Sequence, residues 1–134
     1  MEQLALLTSR KKKSAVRLTR NSKIIKTIIA AIQEKKGGNI ISLDLRKINE
    51  AVADFFIVCE ASNQPQIRAI ADNVQEEVKK KCDEGPYHHE GYSKLQWVLI
   101  DYVNVVVHVM LPETRKFYQL EDMWSDAVSE EHPS

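Results

Sequence analysis

Apolar residues recur along this chain in two rhythms. In "NSKIIKTIIAAIQEKKGG", residues 21–38, Ile24, Ile25, Ile28, Ile29 and Ile32 fall three or four apart, the spacing of a helix that buries one stripe. Asn21 or Ser22 caps its start, Lys35 and Lys36 suit its C-terminal end, and Gly37 stops it. A second helix is predicted over "SNQPQIRAIADNVQEEVKKKC", residues 62–82, with Ser62 or Asn63 as cap and Pro65 in the first turn. Its stripe is Ile67, Ile70, Ala71, Val74 and Val78. Between the helices, "NIISLDL" reads as a strand and "ADFFIVCEA" as a second one buried on both sides, joined by the irregular "RKINEAV". "DEGPYHHEGY" is a turn followed by a short strand, and "PETRKFYQLEDMW" a short terminal helix or helical pair with Phe117, Leu120, Met123 and Trp124 at helical spacings.

The run "WVLIDYVNVVVHVM", residues 97–110, is the most apolar in the chain, yet it contains Asp101 and His108. Folding it on itself at Val103-Asn104 sets Asp101 opposite Val106, Leu99 opposite His108 and Trp97 opposite Met110. Opposed residues of a hairpin share a face. One face is then Val98, Ile100, Tyr102, Val105, Val107 and Val109, which reads as core. The other is Trp97, Leu99, Asp101, Val106, His108 and Met110, mixed in chemistry. A four-residue loop preserves this pairing, whereas an odd-length loop swaps the faces. Large anchors beside a few polar groups are what protein interfaces use. The competing reading is that a helix covers this face and His108 is a hydrogen-bonded core residue. On these residues alone both readings stand.

The order of elements is helix, strand, strand, helix, three strands, helix. It predicts an α/β single domain with one mixed β-sheet flanked by helices. At 134 residues the chain is of one-domain length. Net charge is zero, but residues 1–23 carry seven basic residues against Glu2 alone, a basic leader on a mildly acidic domain. Residues 1–22 are therefore expected to be a flexible basic tail, residues 23–126 the domain, and residues 127–134 a polar C-terminal tail. Two cysteines, Cys59 and Cys82, are too few for a disulfide framework, and a reducing, cytoplasmic setting is expected. "MEQLALLTSRKKK" has its charges after its apolar part, the reverse of a secretory signal, with some transit-peptide flavour. No run is long enough to span a membrane.

His88 and His89 are adjacent on a strand, so they face opposite ways and cannot share one metal. Asp101 and His108 resemble the base and orienter of a triad, but no serine or cysteine sits in a nucleophile context. The glycines of "KKGGN" close a helix, where a phosphate loop would open one. Asp44 ends a strand, a place for a metal carboxylate, yet Arg46 stands where a second carboxylate is needed. Salt bridging is the better reading of Asp44. No catalytic, metal or cofactor site is expected. "RKKK" in the tail lacks interleaved aromatics, so only nonspecific contact with RNA phosphates follows.

"LDLRKINEAVADFFIVCEAS", "IRAIADNVQEEV", "WVLIDYVNVVVHVM" and "FYQLEDMW", in this order, resemble the ribosomal silencing factor family, also called iojap; the resemblance covers about residues 23 to 125. It implies a nucleotidyltransferase-like fold lacking the catalytic carboxylates and a non-enzymatic role. It implies binding to the large ribosomal subunit through ribosomal protein L-fourteen, steric blocking of the small subunit, lower translation under nutrient limitation, and a homodimer when free. Carried onto this chain, the partner-binding residues are Trp97, Leu99, Asp101, Val106, His108 and Met110, with Tyr118 and Trp124 from the terminal helix. The alternatives are a ribosome-assembly or RNA-binding module working through the tail, and a nucleotidyltransferase-type enzyme. The chain departs from its relatives at Val103-Asn104, where Gly-Asp is common, at Glu60-Ala61-Ser62-Asn63 in place of Thr/Ser-Gly-Thr-Ser, and at Pro65 in place of a basic residue. Valine resists the positive φ of a tight turn, so a wider hairpin loop is expected.

Overall fold

The computed structural model describes residues 18–19 and 22–134, so the tail expected over residues 1–22 lies almost wholly outside the described residues. The chain runs α1 (Lys23–Glu34), β1 (Gly38–Asp44), β2 (Phe55–Glu60), α2 (Gln64–Cys82), β3 (His88–Glu90), β4 (Trp97–Asp101), β5 (Val105–Met110), α3 (Pro112–Tyr118), α4 (Leu120–Met123) and β6 (Val128–His132). One six-stranded sheet takes the order β3-β4-β5-β2-β1-β6. The central pair β2–β5 is parallel and the rest are antiparallel, which is the expected mixed sheet.

The two long helices form where the stripes place them, and both lie on one face of the sheet. Ile24, Ile28 and Ile32 of α1 and Ile67, Ile70, Val74 and Val78 of α2 meet Phe55, Ile57, Val98, Ile100, Val105, Val107 and Val109 in one cluster. Asn63 caps α2, its Oδ1 accepting the Gln66 amide at 2.9 Å. Ser22 instead accepts the Thr19 amide at 2.8 Å, leaving α1 without a side-chain cap. Inside the helix pair, Asn73 is buried and donates to the Ala31 carbonyl (3.0 Å) and to Glu34 (2.7 Å), tying α2 to the end of α1. Gly37 packs where the chain turns under Ile32 and Ile70, and a methyl group there would overlap Ile32.

The segment expected to be a polar tail is in fact β6, which pairs with β1 from Ile40↔His132 to Asp44↔Val128. Its side chains are almost all exposed. An edge strand held by its backbone ladder, with Ser42 and His132 bonded at 2.9 Å, shows no apolar alternation to betray it in the sequence.

The opposite face of the sheet is covered as well. The link after β1 folds back so that Leu45, Ala51 and Ala53 close over Phe56, Leu99 and Val106. Leu120 and Tyr118 close over Val58, Trp97 and Met110.

Candidate functional site

The β4–β5 hairpin pairs Trp97↔Met110, Leu99↔His108 and Asp101↔Val106, the register read from alternation. The turn is tight, not the wider loop expected. Val103 takes φ +72°, with the Asn104 amide donating to the Tyr102 carbonyl and the Tyr102 amide to the Val105 carbonyl, both at 2.9 Å. What holds a β-branched residue in this costly region is Asp101, whose Oδ1 accepts the Val103 amide at 2.7 Å. The Asn104 carbonyl also accepts the Asp54 and Phe55 amides, at 2.9 and 3.1 Å, fastening the turn to the start of β2.

The mixed face is a buried layer. Trp97, Leu99, Asp101, Val106, His108 and Met110 are all at most 5% exposed. Of the two readings the sequence left open, the covered face describes their surroundings. His108 lies between Phe56 and Trp97, with ring centroids 4.7 and 5.8 Å away. Trp97 Nε1 donates to His108 Nδ1 at 3.1 Å, so the neutral ring carries its proton on Nε2. That Nε2 meets no acceptor among the described residues, and burial pushes the His108 pKa down to about 3. Asp101 serves the turn and His108 serves Trp97, so the two do not form a base-and-orienter pair.

Tyr118 and Trp124 form the half-buried cover over this layer. Tyr118 lies 5.0 Å from the Trp97 ring and Trp124 stands edge-on to Phe56 at 5.9 Å. The cover is fixed by Arg115 of α3, which is buried. Its guanidinium donates to the Asn39 carbonyl (2.6 Å), to Glu60 (3.1 Å) and to Glu121 (3.0 and 3.2 Å). One side chain thereby joins the start of β1, the end of β2 and α4. Gln119 in the left-handed region (φ 49°) breaks the terminal helix into α3 and α4. The break turns Leu120 inward and leaves Phe117 and Met123 outside, 71% and 48% exposed. Phe117 contacts Tyr118 at 4.9 Å, so an aromatic path runs from the buried Trp97 to the surface. Helical spacing had put Phe117, Leu120, Met123 and Trp124 on one stripe; the change of helix axis at Gln119 separates them.

The other candidate chemistry resolves into packing. Asp44 is engaged by Arg46, Nη2–Oδ2 at 2.6 Å and Nε–Oδ1 at 2.9 Å, with the Arg46 amide on the same carboxylate. His88 approaches Glu90 at 3.6 Å and His89 meets Tyr92 at 5.1 Å, on opposite faces of β3. Cys59 is buried, and desolvation raises its pKa to about 12, which removes its nucleophilic form near neutrality.

Comparison with known proteins gives a consistent answer. A family model described as "Ribosomal silencing factor during starvation" matches residues 19–134. A ribosomal silencing factor of Halalkalibacterium halodurans is 35% identical over 111 residues, which is 83% of this chain and 93% of that protein. One of Bacillus subtilis is 37% identical over 107 residues, 78% of this chain and 86% of its own length. An X-ray structure of a Chromobacterium violaceum protein superposes with a TM-score of 0.73 at 35% identity, covering 84% of this chain and 88% of that one.

Proposed function

This chain belongs to the ribosomal silencing factor family, and on that premise we propose that it represses translation by occupying a surface of the large ribosomal subunit. The partner in this reading is ribosomal protein L-fourteen, and the effect is steric: a bound protein of this size overlaps the place where the small subunit docks. A patch of ordinary interface dimensions is enough for such blocking. No chemistry is required of it, in keeping with relatives named as silencing factors and with an Asp44 carboxylate already taken by Arg46.

The observation that carries the reading is the exposed aromatic surface of α3. Phe117 stands 71% exposed against Tyr118, and Tyr118 rests on Trp97 of the buried layer. A large apolar side chain offered to solvent on a rigid base is the kind of anchor that dominates interface energies. Of the residues carried over from the family, Tyr118 offers contact, joined by Phe117, which its exposure adds, while Trp97, Leu99, Asp101, Val106, His108, Met110 and Trp124 hold that contact surface in shape from below. The family premise also carries a homodimer in the free state, while the cysteine content suits a cytoplasmic setting and the charge of the basic leader suits a nonspecific contact with ribosomal RNA.

Sedimentation with purified subunits tests this. The wild-type chain is expected to pellet with large subunits and to inhibit their joining to small ones. Phe117→Asp is expected to melt like wild type, yet to bind at least about tenfold more weakly, as loss of an interface anchor does. Wild-type binding by Phe117→Asp would remove α3 from the interface.

A further inference from the structure

A second surface adjoins the first at the end of the sheet where β2 and β5 finish and β4 begins. There the Ala61 amide donates to the Met110 carbonyl and the Leu111 amide to the Gln96 carbonyl, both at 3.0 Å. The first residues of α2 gather two separate segments onto this end. Gln66 Nε2 donates to the carbonyls of Lys35 (3.2 Å) and Lys36 (3.0 Å). Gln64 Nε2 donates to the Lys94 carbonyl at 2.9 Å. Arg68 reaches the Tyr92 carbonyl at 3.4 Å and lies over the Tyr92 ring at 5.5 Å. Lys35, Lys36, Arg68 and Lys94 are all exposed, and none makes an ion pair among the described residues.

Neighbouring carboxylates are occupied. Glu34 accepts from Asn73, and Glu60 from Asn39 and Arg115, while Asp72 faces the Tyr92 hydroxyl. The lysine triplet at the far end of α2 provides the contrast. Lys79, Lys80 and Lys81 each pair with Asp83, Glu76 or Glu77, so their charge is already answered within the helix.

We propose that Lys35, Lys36, Arg68 and Lys94 form a docking surface for the phosphate backbone of RNA. Four exposed cations with no carboxylate partner, held at fixed points by backbone carbonyls that α2 grips, suit a ligand with repeating negative charge. Such binding is driven by counterion release. A ribosomal subunit presents RNA beside protein, so the inference rests on the subunit-binding reading and extends it to a composite contact: protein at α3, RNA at the start of α2.

The test compares two triple variants of the full chain. One is Lys35→Gln/Lys36→Gln/Lys94→Gln, which spares Arg68 for its packing on Tyr92; the other is Lys79→Gln/Lys80→Gln/Lys81→Gln. Each is titrated at several KCl concentrations, once against large subunits and once against a fluorescein-labelled RNA stem-loop by anisotropy. The first variant is expected to lower the magnitude of the log-affinity against log-salt slope by about two to three in both titrations, with the second like wild type. Equal slopes for all three proteins, or equal loss in both variants, overturns the proposal, the latter showing a net-charge effect. A slope lowered on subunits but unchanged on the stem-loop also overturns it and points to an acidic protein segment. If the wild-type chain binds no subunit, the subunit reading falls, and the stem-loop titration alone decides the surface.

Discussion

His108 makes this protein's stability depend on pH in a way that one substitution isolates. The ring is wholly buried between Phe56 and Trp97, and its pKa is depressed from 6.5 to about 3 by burial. The unfolded chain takes up a proton near pH 6.5 that the folded chain refuses until about pH 3, so stability is full above pH 6.5 and falls as the pH drops. From that pair of values the folded state loses about 2 kcal/mol between pH 7.5 and 5.0, and about 3 by pH 4. His108→Asn keeps an acceptor near the Nδ1 position for the Trp97 indole and removes the titration. Urea unfolding followed by tryptophan fluorescence at pH 7.5 and 5.0 gives each stability, and carboxylates common to both proteins cancel in the difference. The variant starts lower, because it leaves a cavity, but is expected to lose about 2 kcal/mol less than wild type across this interval. Parallel losses in the two proteins would refute the burial argument. So would a histidine Cε1 resonance assigned to His108 that titrates near pH 6.5.

Arg115→Met is expected to cost about 3 kcal/mol in chemical denaturation, because Glu60 and Glu121 lose the cation that compensates them. Hydrogen exchange should then quicken in α4 and β6 before the core of the sheet. Trp97→Phe keeps an aromatic ring under Tyr118 but deletes the indole donor to His108 and leaves a cavity in a buried layer, and thermal melts should place the loss at about 2 to 3 kcal/mol. Gly91→Ala is expected to destabilise by at least about 2 kcal/mol, since φ is +95° and the added methyl would land on the Trp97 carbonyl. A melting temperature equal to wild type would contradict that placement.

Period and pairing are legible in the sequence wherever burial is one-sided and local. The stripes of α1 and α2, the doubly buried β2 and the register of the β4–β5 hairpin all follow from where apolar side chains must go. The Asp44–Arg46 pair was also readable, since two residues at the end of a strand need no distant partner to meet. The family itself was visible in the order and joint presence of short motifs, because those motifs encode the packing of this particular sheet.

Tertiary structure decided what covers what. Alternation separated the face bearing Trp97, Asp101, His108 and Met110 from the aliphatic one, but alternation is a property of one hairpin and carries no record of which segment returns to it. The link after β1 and the chain beyond Pro112 cover that face, held by Arg115 bonds to Asn39 and Glu60 far away in sequence. The break at Gln119, which puts Phe117 outside and Leu120 inside, is a single backbone torsion with no apolar signature. Strand β6 is polar because its side chains face water, and its partner strand lies some ninety residues earlier. The gathering of Lys35, Lys36, Arg68 and Lys94 has the same origin. Their carbonyl anchors come from two segments that meet only when α2 docks, and long-range contact of that kind leaves no period in the chain.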